Sequence, residues 1–348
     1  MAAPPSPLPS NRRTGAFERR VARALAELGC ATEDGKGVLV AASGGADSTA
    51  MLVAVARALG AERVTAAHFD HRLRSSAEAA RDAEAVAGVA GRLGVALLTG
   101  RAARRPVDHS EAAAREGRYR WLARASREAG VTDCITGHTL DDQAETVLLR
   151  LARGAGALGV AGMRAAAPWP VEARGARSLR VLRPLLGVTR AEVEGYLGAL
   201  GLDASSDVTN DTLDYTRNRV RHEVLPALRG VNARVSEHLA EFASTQREDD
   251  DALTAIALEW LDAHAERDGE RLSLPRRELR GLPVALGIRV IREAARALGV
   301  PLEAPHLRAI HASTRKSGAN VDLPLARSRT SGSLLELRTS AATHRGRD

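Results

Sequence analysis

The chain has 348 residues, enough for two domains that each bury a core of their own. Its net charge of +7 comes almost wholly from arginine, Lys36 and Lys316 being the only lysines, and favours a polyanionic partner, although a coding bias towards arginine accounts for that excess equally well. An aromatic content of 3% argues against a generic single-strand binder, the distant cysteines Cys30 and Cys134 argue against zinc or iron–sulfur sites, and no apolar run is long enough to span a membrane.

Residues 1–14, MAAPPSPLPSNRRT, are rich in proline and serine, lack the apolar stretch of a signal peptide, and read as a disordered tail of a cytoplasmic protein. Phe17, Val21, Leu25 and Leu28 then recur at helical spacing. Strand patterns over residues 37–42, 64–69, 95–99 and 133–136 alternate with alanine-rich helices, which predicts an α/β fold with a doubly wound parallel sheet. Ligands of such sheets lie at the carboxyl ends of the strands. Polar residues collect there: residues 43–48 follow the first strand, 68–74 complete and follow the second, and Gly137 and His138 follow the fourth, leading into a helix with Asp141, Asp142 and Glu145. Beyond about residue 230 the pattern gives helices near 250–264, 282–298 and 305–314 and a final hairpin over 320–339, a smaller C-terminal α+β domain. The expected division is a tail to residue 14, a catalytic domain over 15–225 and a C-terminal domain over 226–348.

Ser43-Gly44-Gly45-Ala46-Asp47-Ser48 joins an aliphatic strand to an apolar helical pattern. Gly44 and Gly45 let the backbone turn tightly and bring its amides against an anion. Ser48 is read as the helix N-cap, so that free amides and the helix dipole face the same point. A Walker loop is excluded because Lys36 is followed by Gly37, and the spaced glycines of a dinucleotide fingerprint are missing. The hexapeptide resembles the PP-loop of the ATP pyrophosphatases, which cleave ATP between the α and β phosphates and activate a substrate as its adenylate. That resemblance implies that residues 43–48 hold ATP phosphates and that Asp47 positions Mg2+.

Residues 137–163, GHTLDDQAETVLLRLARGAGALGVAGM, closely resemble the corresponding segment of tRNA(Ile)-lysidine synthetases. HFDHRLR at 68–74, AREGRYRWL at 114–122, RPLL at 183–186, DVTN at 207–210 and YTRNRVRHEVLP at 215–226 stand in the order that family has them. Arg72 replaces a frequent glycine and Thr139 a frequent histidine, so neither is assigned a required role. The resemblance implies ATP-dependent joining of L-lysine to the 2-position of the wobble cytidine of a tRNA(Ile) with a CAU anticodon. Asp142 and Glu145, three apart and so on one helix face, then take the substrate lysine and have a catalytic part, with His138 beside them. Arg115 and Arg118 neutralise phosphate or hold the lysine carboxylate. Arg217, Asn218, Arg219 and Arg221 track the tRNA backbone. Arg153, Gly154, Gly156 and Gly159 form a flexible link expected to order on tRNA binding. The oligomeric state stays open, a homodimer included.

Two other readings compete. A thiolase of the same superfamily would need cysteines at motif positions, where Cys30 and Cys134 do not lie. A non-catalytic ATP- or RNA-binding module would not need both Asp47 and the Asp142/Glu145 pair.

Overall fold

The computed structural model describes residues 8–30, 36–73, 75–103, 111–202, 216–323 and 325–339. Residues 1–7, Arg74, the DVTN segment at 207–210 and Tyr215 lie outside the described residues.

The first helix, α1 (Arg12–Glu27), starts inside the expected tail. Asn11 explains this: its side chain accepts from the amides of Arg13 and Thr14 at 2.9 and 3.1 Å, and the Thr14 hydroxyl accepts from the Asn11 amide at 2.9 Å. This reciprocal cap fixes the start of the helix, and Leu8 before it is already buried in the core. Residues 8–14 therefore do not form the expected disordered tail.

The alternation continues as β1 (Val38–Ala41), α2 (Ala46–Leu59), β2 (Val64–Asp70), α3 (Ser76–Leu93), β3 (Ala96–Arg101), α4 (Glu111–Glu128), β4 (Asp133–Thr136) and α5 (Leu140–Ala152). Short α6 (Ala157–Val160), β5 (Ala166–Pro168), β6 (Arg180–Leu182) and α7 (Arg190–Leu200) follow. The sheet order is β3-β2-β1-β4-β6-β5, parallel except for β5, which runs against β6. That antiparallel edge is invisible in the sequence because three-residue strands carry almost no periodic signal. Alternate residues of β1 enter different cores: Val38 and Val40 pack with α1, α2 and α7, whereas Leu39 packs with Tyr119 and Leu122 of α4. The sheet is thus covered on both faces, as a parallel sheet must be. The chain leaves β1 for β2 and β3 on one side and returns to β4 on the other, so the switch point lies between β1 and β4.

α8 (Thr216–Arg219), a π-helical turn over Val220–Val224, α9 (Leu225–Val231) and α10 (Val235–His264) come next. The chain divides into compact units over 1–244 and 245–348, so the division falls within α10 and not at residue 225. The second unit contains β7 (Glu266–Asp268), β8 (Arg271–Pro275), α11 (Arg276–Gly281), α12 (Val284–Ala297), α13 (Ala304–Ser313), β9 (Asn320–Leu323), β10 (Ala326–Ser331) and β11 (Leu334–Thr339). Its antiparallel sheet has the order β7-β8-β11-β10-β9, so the expected final hairpin is part of a larger α+β unit. Leu272, Leu274, Leu335 and Leu337 pack there against Val290, Ile291, Leu307 and Ile310. Among the described residues no helix is long and apolar enough to cross a membrane.

Candidate active site

The expected phosphate loop lies at the carboxyl end of β1, beside the switch point. Its geometry differs from the expectation in one respect: Gly45, not Ser48, is the N-cap of α2. Gly45 has no side chain to satisfy the first amides of the helix, and no side-chain cap bond is made. Ser48 lies one turn inside, where its hydroxyl donates to the Gly45 carbonyl at 3.0 Å and accepts from the Ser43 amide at 3.1 Å. The Ser43 and Ser48 hydroxyls are also 3.0 Å apart. The serines brace the loop while the amides at its helical end stay available to an anion. Gly44 adopts φ +94°, and a Cβ there would sit 3.1 Å from the Asp82 backbone, so only glycine suits the turn. Ala46 opens the helix.

Asp47 projects from the first turn of α2. One carboxylate oxygen lies 3.4 Å from Arg190, and the other, Oδ1, is buried without a partner. Burial pushes its carboxyl up to about 6, opposed by Arg190 and reinforced by Asp142. A buried carboxylate oxygen lacking a donor is suited to a hard cation. No cluster of three or more metal-ligating side chains exists among the described residues, so such a cation would take its other ligands from phosphate and water.

Gly137 follows β4 directly, and a Cβ there would meet the Asp47 carbonyl group and the Ser48 amide at 3.1 Å. This close approach brings the lead-in to α5 against the phosphate loop. Thr139 caps α5, and Asp142 Oδ2 accepts from the Thr139 amide at 2.9 Å and its hydroxyl at 3.1 Å. Glu145, 1% exposed, lies one turn further along the same face. His138 Nδ1 is 2.9 Å from the Thr136 hydroxyl, and burial drives the ring well below its ordinary pKa, with Asp142 opposing. It is neutral at physiological pH.

The acid pair is occupied by two of the expected tRNA-binding arginines. Arg217 donates to Glu145 at 2.9 Å and to Asp142 at 3.0 Å. Arg221 donates to Glu145 at 2.6 and 3.1 Å and to Asp142 at 3.3 Å. Burial disfavours the Asp142 carboxylate, but Arg217, His138, the Thr139 amide and Arg221 outweigh it and hold the group below its ordinary range. Arg219 instead faces solvent, 3.5 Å from Glu223, and Asn218 is half-buried on the same short helix.

His138 also feels the positive charge of Arg183, Arg118 and Arg115. Arg115 and Arg118 lie over the ring of fully buried Tyr119, at 5.0 and 5.5 Å from its centroid. Burial lowers the pKa of Arg118 and of Arg183, with Tyr119 the main opposing influence on each. None of the three arginines pairs with a carboxylate among the described residues. Arg183 and Arg190 were missed as site residues in the sequence. The only signal was the position of Arg183 in RPLL and of Arg190 four residues after it.

Asp141, adjacent to Asp142, has another role: it accepts from the Arg190 amide at 2.8 Å, from Ser236 at 3.2 Å and from Arg229. The glycine-rich link is tied down at its far end. Arg150 donates to the carbonyls of Gly159 and Gly162, both at 2.9 Å, and Gln143 exchanges bonds of 3.0 and 2.7 Å with the Met163 backbone.

Residues 14–228 match the PP-loop domain family. A tRNA(Ile)-lysidine synthase from Thermobifida fusca is 37% identical over 94% of this chain and 96% of its own length. One from Salinispora arenicola is 43% identical over 82% of each. The chain belongs to the tRNA(Ile)-lysidine synthase family. A lysidine synthase from Symbiobacterium thermophilum is longer: the match, 37% identical, covers 84% of this chain but 63% of that relative. This chain also shares its fold with the U34-tRNA thiolase NcsA from Methanococcus maripaludis, at 14% identity and a TM-score of 0.56 over 68% of this chain and 80% of the thiolase. Cys30 and Cys134 are free and buried, and burial raises their thiols to about 11 and about 12, which disfavours the thiolate form.

Proposed function

We propose that this chain acts in the cytoplasm on a tRNA(Ile) with a CAU anticodon, using ATP and Mg2+ to join L-lysine to the 2-position of the wobble cytidine. The observation carrying this reading is the packing of Gly137 on the Asp47–Ser48 peptide, which brings a phosphate loop and a buried acid pair to one switch point. A phosphate site alone supports many reactions. A phosphate site beside an acid pair supports one that brings a nucleotide and a cationic nucleophile together.

In the first step the cytidine 2-oxygen attacks the α-phosphorus of ATP, and the bond to pyrophosphate breaks. The free amides after Gly45 and the α2 dipole stabilise the charge that builds on the phosphates. Asp47 would hold the magnesium ion through its unpartnered Oδ1, and the ion would supply further neutralisation of charge on the phosphates. In the second step the ε-amine of lysine attacks C2, the C2–O bond breaks and AMP leaves. Asp142 and Glu145 hold the ammonium and take its proton once burial has lowered the amine pKa. Arg115, Arg118 and Arg183 supply the opposite charge for the lysine carboxylate or for phosphate, and neutral His138 is within electrostatic reach of both them and Asp142. Arg219 and the C-terminal unit are assigned to the tRNA backbone.

The test is pyrophosphate release from ATP with lysine and either the isoleucine CAU tRNA or elongator methionine tRNA. Release confined to the isoleucine tRNA supports the assignment. Release without any tRNA contradicts it.

A further inference from the structure

The acid pair assigned to the substrate cation is already saturated by cations of the chain itself. Of its four oxygens, Asp142 Oδ2 is taken by Thr139, and the other three face Arg217 and Arg221. Two guanidinium groups offset two carboxylates. A lysine ammonium entering that cluster would add an unbalanced charge in a site where Glu145 is 1% exposed, which is unfavourable unless an arginine leaves.

The element carrying the arginines is unusual. Arg217 lies in α8, a single turn, and Arg221 in the π-helical turn Val220–Val224 that follows. A π turn holds one residue more than an α turn, is rare, and concentrates at functional sites. Val220 and Leu225 bury the inner side of the segment, while Arg219, His222, Glu223 and Val224 are exposed. Arginine, planar and able to donate two bonds at once, suits phosphate as well as it suits carboxylate. These guanidinium groups therefore have two possible anionic partners, the acid pair and an RNA backbone.

Resting on the proposed lysine reading, we infer that Arg217 and Arg221 are internal stand-ins for the substrate cation and that tRNA phosphates draw them off the acid pair. Lysine is admitted only after tRNA has bound. The order matters because the amine is then placed only where a cytidine is present to receive it. Arg217 and Arg221 couple the two substrates by moving between their anions.

The test is calorimetric binding of L-lysine to the full chain without ATP, in the presence and absence of the isoleucine CAU tRNA. Lysine should bind at least tenfold more tightly with tRNA. Arg217→Gln/Arg221→Gln should bind lysine without tRNA at least tenfold more tightly than the unchanged chain. Hydrogen exchange of residues 216–231 in the unchanged chain, which needs no variant to fold, should rise when tRNA is added. Lysine affinity indifferent to tRNA, or exchange unchanged by it, overturns the inference and leaves the lysine reading standing. Absence of lysine binding under every condition overturns both.

Discussion

Asp47 is positioned at a cost to the fold. Its folded pKa, about 6, lies above the ordinary carboxylate value of 3.8, so folding favours the protonated form. The stability attached to this group is fully present below about pH 4 and is lost as pH rises through about 6. Asp47→Asn should stabilise the metal-free, nucleotide-free protein above pH 6 by on the order of 2–3 kcal/mol, a gain that vanishes below about pH 4 in denaturant titrations. The same change should lower pyrophosphate release by roughly a hundredfold or more. Glu145 has the opposite character, buried and fully paired. Glu145→Ala leaves Arg217 and Arg221 with Asp142 alone and should destabilise the protein by about 3 kcal/mol or more, read from chemical denaturation.

At the scale of elements, the site depends on how closely the α5 lead-in approaches the PP-loop. Gly137→Ala inserts a Cβ 3.1 Å from the Asp47–Ser48 peptide. Relieving that contact should raise the KM for ATP severalfold while costing only about 1–3 kcal/mol of stability. Strands β1 to β4 and the loop between β1 and α2 were legible in the sequence because aliphatic runs, glycines and a following helical period coincide there. The start of α2 was misplaced: Ser48 has the chemistry of an N-cap, but the turn needs a glycine at its end and begins the helix at Ala46. The acids were legible as a pair, whereas their partners were not. Arg217 and Arg221 are more than 70 residues away in sequence, and nothing in a basic helix distinguishes a guanidinium aimed at RNA from one aimed at a carboxylate. Arg190 was hidden for the same reason, since it reaches Asp47 from 143 residues away in sequence.

For the whole molecule, a net charge of +7 carried by arginine gives tRNA binding a large electrostatic component. Raising salt from about 50 to 200 mM should weaken tRNA affinity by at least about tenfold in filter-binding or anisotropy measurements, while ATP affinity changes far less. The central claim is that a phosphate loop and an acid pair at one switch point serve a single ligation. The measurement that tests it most directly is mass spectrometry of nuclease digests after incubating the chain with ATP, isotopically labelled lysine and the isoleucine CAU tRNA. A labelled lysine–cytidine adduct, lost on Asp47→Asn and absent with elongator methionine tRNA, is the predicted result. Pyrophosphate release with no labelled nucleoside in the digest would contradict it.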